Sequence, residues 1–325
     1  MSLRTIIQKK FQNLFIAVIL NETECVISCK VVKNGAIKKV FSKTFDDLEP
    51  SETLDKEIEN YLKALQEEYP FVYIAFLLNT LGQGAFEGIE SEDFKKHHVG
   101  IHDVLSITMK NQWSVYASLI EIQWAKNLFT TTGLDLLYSP FILLNDCVKS
   151  HKQKNKPTCY LLNYQNFFVL AIFEAEAFHV GTFFNIPKED SLHDSLHMMD
   201  RWENEMKEEG ISELSQLDII ELSNTSSDEA NPEQTDDVMD TKDLNLELYG
   251  RDILVYQYLK DFLETYYLNP DYHSEFVEEI VIFDGYEIST ELLHQIEGDL
   301  MMDVEVHQVD VGSNLCDLAI KEVFQ

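Results

Sequence analysis

The first candidate for chemistry is a glycine-containing loop that follows an apolar run. Residues 72–88 read VYIAFLLNTLGQGAFEG, with glycines at Gly82, Gly84 and Gly88. A dinucleotide-binding loop needs G-x-G-x-x-G directly after a strand, because its glycines let backbone N–H groups approach a pyrophosphate. Here the last spacing is one residue too long, and carboxylates follow where an anion would have to bind: Glu87, Glu90, Glu92 and Asp93. We therefore interpret the loop as a flexible turn that leaves a buried strand.

A second candidate is a pair of histidines at the spacing that metal-binding helices use. His193 and His197 stand at i and i+4, as in the H-E-x-x-H motif of zinc peptidases. Asp194 lies between them, and its side chain is shorter than the glutamate that would have to reach a metal-bound water. No third ligand is identifiable from the sequence. We interpret the pair as part of an acidic surface helix and keep it as a weak metal candidate.

The composition excludes several classes of function. The chain has 25 Lys and Arg against 57 Asp and Glu, a formal net charge of -32. This charge repels nucleic-acid backbones and anionic lipids, and it favours a partner with a basic segment. Five cysteines form no C-x-x-C pair, so we expect reduced, packed thiols. No stretch approaches the ~20 apolar residues of a membrane span, so we expect a cytoplasmic protein without direct membrane insertion.

The chain is predicted to contain two halves that each open with three antiparallel strands. In the first half the strands are predicted at residues 15–20, 25–32 and 36–45, with an Asn34-Gly35 turn. In the second half they are predicted at residues 158–164, 167–176 and 177–186. KQKNKP, residues 152–157, is the polar joint between the halves.

Helices alternate with strands after each set of three. One helix is predicted from about Ser51, whose hydroxyl can cap it, to Pro70. Residues 224–243 have almost no apolar content and many acidic side chains, which is typical of a disordered loop. Alternation of this kind predicts an α/β fold with helices packed on mixed sheets.

A duplicated unit with this layout resembles the actin-like, sugar-kinase-like ATPases. Within that group it is similar to the PilM and GspL-type assembly-platform proteins, including the PilM homologue of some bacterial flagellar motors, which combines an IAVILNE-like opening with an acidic insertion. The resemblance covers nearly the whole chain and implies an α/β, actin-like, ribonuclease H-like fold that is duplicated and bilobed. It predicts subdomain I at 1–151, with segment 312–325 packing back on it. It predicts subdomain II at 157–311, with the acidic insertion at 224–243.

The resemblance also predicts where a nucleotide would bind. Active members hold it between the halves at the first hairpin of each, where an Asp with nearby Gly and Thr positions a metal ion and the phosphates. In the first loop, LNETE, Asn21 stands at the Asp position, and Glu22 adds repulsion. In the second loop, LNYQN, Asn163 replaces the Asp, and Tyr164 occupies space that a phosphate needs.

A third loop departs from the family pattern as well. Active members usually carry a Gly-Gly pair after a late strand, whereas FDGYEIS has Gly285 alone, preceded by Asp284. These differences argue against a Mg-ATP site. We therefore expect no cofactor and no metal, and an atypical ATP and Mg site is the alternative.

The resemblance implies an interaction protein. The expected function is a non-catalytic scaffold, peripheral to the inner membrane, that docks the short cytoplasmic tail of a PilN-like bitopic membrane protein. Such tails carry basic residues near the membrane, and an acidic surface attracts them. The machine would be a type IV pilus, type II secretion or flagellar-motor platform, with self-association into a ring or array. The alternatives are an actin-like ATPase or small-molecule kinase with an atypical site, and a regulator whose acidic loop recruits a basic partner.

Overall fold

A computed structural model describes residues 10–48, 51, 53–110, 112–151, 155–186, 241–269 and 275–324, with the backbone alone described at 241–247 and 249. Residues 1–186 and 252–325 form one compact unit, and residues 187–251 form a second. Of the second unit only 241–251 is described, as the beginning of a helix. The predicted disordered loop at 224–243 thus lies outside the described residues, except for its last three residues, which are helical.

Thirteen strands and seven helices are formed by the described residues. The strands are β1 (Asn13–Leu20), β2 (Cys25–Lys33), β3 (Ala36–Phe45), β4 (Phe71–Leu77), β5 (Gln83–Glu87), β6 (Val104–Met109), β7 (Trp113–Ser118), β8 (Leu136–Tyr138), β9 (Pro157–Tyr164), β10 (Phe167–Glu174), β11 (Ala177–Asn185), β12 (Glu279–Asp284) and β13 (Asp303–Gln308). The helices are α1 (Lys56–Glu68), α2 (Ser91–Lys96), α3 (Leu119–Leu128), α4 (Pro140–Ser150), α5 (Thr241–Leu268), α6 (Thr290–Asp299) and α7 (Val311–Phe324). The predicted antiparallel sets, β1–β3 and β9–β11, are confirmed.

The first sheet has five strands in the order β3-β2-β1-β4-β8. Its central strand β1 pairs antiparallel with β2 and parallel with β4. All residues of β1 except the last are buried, as expected for a strand that is covered on both faces. This burial fixes the first hairpin turn, which follows β1 directly.

The second sheet has eight strands in the order β13-β12-β9-β10-β11-β5-β7-β6. Strands from the first half of the chain extend it, because β5 pairs with β11 at Ala85–Gly181 and Phe86–Val180. At its other end β9, β12 and β13 run parallel, so their carboxyl ends lie side by side. Ligands of open α/β sheets bind at such an edge.

Helix α1 starts later than the sequence predicts. Its N-cap is Asp55, whose carboxylate accepts a hydrogen bond from the N–H of Glu57 at 2.6 Å. The predicted cap, Ser51, instead accepts from the N–H of Thr53 at 3.2 Å. The predicted start is wrong because a carboxylate nearer to the apolar stripe caps the helix. The stripe itself is buried as predicted: Ile58, Leu62 and Leu65.

The last helix packs on the first sheet. Nζ of Lys30, a buried side chain on β2, lies 2.7 Å from Oδ1 of Asp317 on α7. The thiol of Cys316 lies 3.3 Å from the carbonyl oxygen of Ser28, also on β2. Segment 312–325, which the resemblance assigns to the first subdomain, therefore contacts β2, while the predicted domain boundaries stay predictions.

Two further expectations from the sequence concern the cysteines and membrane-spanning segments. All five cysteines are buried and free, as predicted. Burial raises the pKa of Cys25 and Cys29 to about 12, so these thiols stay protonated near neutral pH. Among the described residues, no helix combines the length and the apolar character that crossing a bilayer requires.

We predict opposite effects of adding a methyl group to two helical glycines. A Cβ at Gly312 would lie 2.8 Å from Cβ of Ser28, so rotating the serine hydroxyl does not relieve the overlap. Gly312→Ala should therefore lower the free energy of unfolding by about 1–3 kcal/mol. Gly298 on α6 has nothing within 4 Å of the added Cβ, and Gly298→Ala should raise stability by up to about 1 kcal/mol. Urea unfolding measures both, and equal effects would contradict the tight approach of α7 to β2.

Candidate functional site

The first hairpin turn is tied by side-chain hydrogen bonds to the second. Nδ2 of Asn21 donates to Oε1 of Gln165 at 2.7 Å. Oδ1 of Asn21 accepts from Nδ2 of Asn79 at 3.3 Å, and the same nitrogen donates to the carbonyl of Leu20 at 2.8 Å. Both ends of the Asn21 amide are therefore used inside the protein. Sequence reasoning identified Asn21 and missed Asn79 and Gln165, which no local motif marks.

The loops around this contact are negatively charged. Glu22 is exposed at the first turn, and Glu24 is half-buried beside it. The three loops LNETE, LNYQN and FDGYEIS contain no lysine and no arginine. An incoming phosphate would meet carboxylates there without a cation from these loops to offset them.

A second polar cluster lies at the carboxyl ends of β9, β12 and β13. Asp284 is fully buried, and its Oδ1 accepts from Nδ2 of Asn163 at 2.7 Å. Its Oδ2 accepts from Nε2 of Gln308 at 2.9 Å, and the N–H of Tyr286 adds a third donor at 3.3 Å. These donors are all neutral. The predicted positions Asn163 and Asp284 are therefore bonded to each other.

Tyr164 and Gly285, the other two predicted positions, lie beside this cluster. Tyr164 is buried, and its ring lies 5.4 Å from that of Phe167. Burial raises the pKa of its hydroxyl, and the charges of Glu24 and Asp310 raise it further. A Cβ at Gly285 would lie 3.2 Å from the carbonyl oxygen of Asn163, so the absence of a side chain lets these loops approach.

The predicted nucleotide-loop positions form a network of buried polar contacts. Every predicted position except the exposed Glu22 is buried or packed between neighbouring elements. Asp284 is the buried carboxylate at this contact, and it already accepts three hydrogen bonds. The geometry serves to hold the two hairpins and the β12 loop together.

The sequence predicts a turn over the whole glycine stretch, whereas the structure has a bend only at residues 80–82, between β4 and β5. Residues Gln83–Glu87 form β5, which places Gly84 inside a strand. A Cβ at Gly84 would lie 2.7 Å from Cζ of Tyr116, and one at Gly82 would lie 2.7 Å from Cγ of Glu121. The prediction is wrong beyond Gly82, because Gly84 permits close packing of β5 against β7, while Gly82 packs against α3.

A group of possible metal ligands lies elsewhere, and sequence reasoning missed it. The pair His193 and His197 lies outside the described residues. His151, Glu305 and His307 bring their ligand atoms within 4.8 Å of one another. The E-x-H spacing on β13 could have signalled two ligands on one face of a strand, but His151 is remote in sequence.

Two family models match the chain. One, described as a domain of unknown function (DUF8341), covers residues 159–324, half of the chain. The chain belongs to the DUF8341 family. The other, also a domain of unknown function (DUF8569), covers residues 11–145. No curated protein sequence matches the chain.

Solved structures resemble the whole chain. A chain of the PilM-PilN type IV pilus biogenesis complex matches with a TM-score of 0.56 at 11% identity, over 97% of this chain and 99% of that chain. A Bacteroides thetaiotaomicron protein with an actin-like ATPase fold and unknown function matches at 0.46 and 11% identity, over 96% and 97% of the two chains. The ethanolamine utilization protein EutJ of Carboxydothermus hydrogenoformans matches at 0.44 and 8% identity, over 94% and 89%. The predicted α/β actin-like fold is confirmed, and these identities show the fold alone.

We predict that the Asp284 cluster contributes to stability. Asp284→Ala removes the acceptor of two buried amides, so the free energy of unfolding should fall by about 1–3 kcal/mol. The exposed Asp303 on β13 is the matched control, and Asp303→Ala should change stability by less than about 0.5 kcal/mol. Urea unfolding measures both. A more stable Asp284→Ala protein would contradict this, since it would show a carboxylate retained at a cost in stability, as ligand-binding carboxylates are.

Proposed function

We propose that this protein is a non-catalytic scaffold that docks the short basic cytoplasmic tail of a PilN-like bitopic inner-membrane protein. The observation that carries the proposal is the bond between Asn21 and Gln165, which joins the two hairpins where active relatives would hold phosphates. This contact supports the interpretation that the chain keeps the actin-like fold and does not bind a nucleotide. The protein would then lie at the inner membrane through its partner.

The partner class follows from the likeness to the pilus complex. The protein in that complex assembles with PilN, as its name says. We extend this partner class to the present chain, as part of a pilus-like, secretion or flagellar-motor platform. The net charge of -32 supports a basic partner, because opposite charge raises the association rate and the selectivity.

The docking surface that we propose is β6, one of the two outer strands of the second sheet. β6 ends the strand order, and its side chains Leu105 and Ile107 are 57% and 54% exposed. They lie on one face, opposite Ala117 and Val115 of β7. An extended tail can add to this edge as a further strand, with main-chain hydrogen bonds giving affinity and alternate side chains giving specificity.

Further exposed apolar side chains surround the start of β6. The N–H of Leu119 donates to the carbonyl of Asp103 at 2.9 Å, which places exposed Leu119 and Ile120 beside the strand. The N–H of Ser118 donates to the carbonyl of Gly82 at 2.6 Å, next to exposed Leu81. Grouped apolar side chains at one sheet edge mark an interaction surface.

The competing function is an actin-like ATPase or small-molecule kinase. The observation in its favour is Asp284, a buried carboxylate at the carboxyl end of β12. Its disadvantage is that the amides of Asn163 and Gln308 already occupy both oxygens.

We predict that a charge on β6 weakens tail binding. The probe is a labelled synthetic peptide with the cytoplasmic residues of a PilN-like protein from the same genome, followed by fluorescence anisotropy. Ile107→Lys should lower the affinity at least about tenfold, because it repels a basic tail and removes an apolar contact. Val40→Lys adds the same charge to β3, the outer strand of the other sheet, at a side chain that is 61% exposed, and should have little effect.

Two outcomes would contradict the proposal. Equal loss in both variants would show a general effect of charge and would remove β6 as the docking surface. Failure of the unmodified protein to bind any PilN-like tail would remove the proposed partner class.

A further inference from the structure

Three possible metal ligands from two distant segments meet at the edge of the second sheet. His151 follows α4 as its C-cap, with its N–H bonded to the carbonyl of Cys147 at 3.1 Å. Glu305 and His307 lie on β13, two residues apart and so on the same face. Nε2 of His307 is 2.9 Å from Oε1 of Glu305, and Nε2 of His151 is 3.8 Å from Oε2 of the same carboxylate.

An aromatic floor holds the two imidazole rings in place. The ring centroids of His151 and His307 are 4.9 Å apart. Phe283 of β12 stacks on His307 at 5.8 Å and meets His151 edge-on at 6.3 Å. The His151 side chain is 14% exposed, whereas Glu305 is 44% exposed. The His307 side chain is 39% exposed, so the cluster is enclosed at His151 and open to solvent at Glu305 and His307.

Hydrogen bonding leaves one nitrogen of this cluster unsatisfied. Nε2 of His307 is shielded from solvent and makes no hydrogen bond, although Oε1 of Glu305 lies 2.9 Å from it. A buried polar atom without a hydrogen bond is costly, and a ring nitrogen beside a carboxylate oxygen can share one metal ion with it.

We propose that His151, Glu305 and His307 bind a Zn²⁺ ion, with water in the fourth position. Two imidazoles and one carboxylate are a zinc ligand set, with bonds of about 2.0–2.2 Å to tetrahedral Zn²⁺. Such bonds place ligand atoms about 3.4 Å apart. The distances here, from 2.9 Å to no more than 4.8 Å, bracket that value, so small side-chain adjustments complete the site.

The ion would tie the end of α4 to β13, the outer strand of the second sheet opposite β6. In the described structure these segments meet through the contact between the His151 and His307 rings, through Phe283 and through the Glu305 carboxylate. A metal that binds the folded chain stabilises it by mass action. The site is separate from the hairpin contact and from β6, so it stands or falls independently of the proposed function.

Calorimetric titration of the full chain with Zn²⁺ tests the site. His193 and His197 have to be replaced first, because this pair could also bind Zn²⁺. In a His193→Gln/His197→Gln background we expect one Zn²⁺ per chain. Adding His307→Gln or Glu305→Gln should lower the affinity at least about tenfold. His294→Gln is the matched control, because His294 also lies near a glutamate, 3.6 Å from Glu297, and it should leave binding unchanged.

Co²⁺ in place of Zn²⁺ gives a second readout. Tetrahedral coordination produces visible absorption bands that adventitious, octahedral Co²⁺ does not, and these bands should vanish in both ligand variants. Circular dichroism checks that each variant is folded. The proposal is overturned if the background protein binds no Zn²⁺, or if both ligand variants bind as tightly as the background.

Discussion

The hydrogen bond between Asn163 and Asp284 sets the chemistry of the region where the hairpins meet. Both side chains are buried, and buried polar groups have to be satisfied inside the protein. An aspartate at 163 would place two carboxylates 2.7 Å apart, a pair that needs a cation or a proton. The amide removes that need, because its Nδ2 donates directly to the acid. Asn163 and Asp284 therefore have to be explained together, as a neutral amide that donates to a buried acid.

In the first hairpin, Asn21 is likewise an amide at a position where the resemblance predicts a carboxylate. Its amide both donates to Gln165 and accepts from Asn79, which a carboxylate could not do. Hydrogen bonds thus join the first loop to the second and the second loop to the third, with Tyr164 buried beside them. In the proposed scaffold, the exposed edge at β6 and the acidic charge would form the surface that meets the partner.

The sequence predicts those parts of the fold that depend on local pattern. The Asn34-Gly35 turn and the apolar runs predict β1–β3, and the repeated pattern predicts β9–β11. It does not predict that β5 joins β11, because Ala85 and Gly181 are far apart in the chain and carry no pairing signal. The start of α1 was missed for a local reason, since Ser51 and Asp55 are both good caps.

The candidate site was predictable in its positions and not in its contacts. The resemblance placed Asn21, Asn163 and Asp284 at loops, and the structure brings two of them together. Gln165, Asn79 and Gln308 were not predictable, because an amide on a loop finds its partner only through the arrangement of several strands. The same holds for His151, which meets β13 across most of the second half of the chain.

Thermal unfolding with millimolar ATP or ADP, in the presence of Mg²⁺ or of EDTA, tests most directly whether the hairpin contact has replaced a nucleotide site. Our account predicts the same midpoint in every condition, because in the described loops Asn21, Asn163 and Asp284 already bond to neighbouring side chains. A rise that requires both nucleotide and Mg²⁺ would contradict it, since a ligand at one hundred times its Kd stabilises the folded chain by about 2.7 kcal/mol. That result would show that the amides yield to Mg-nucleotide and would put the ATPase first.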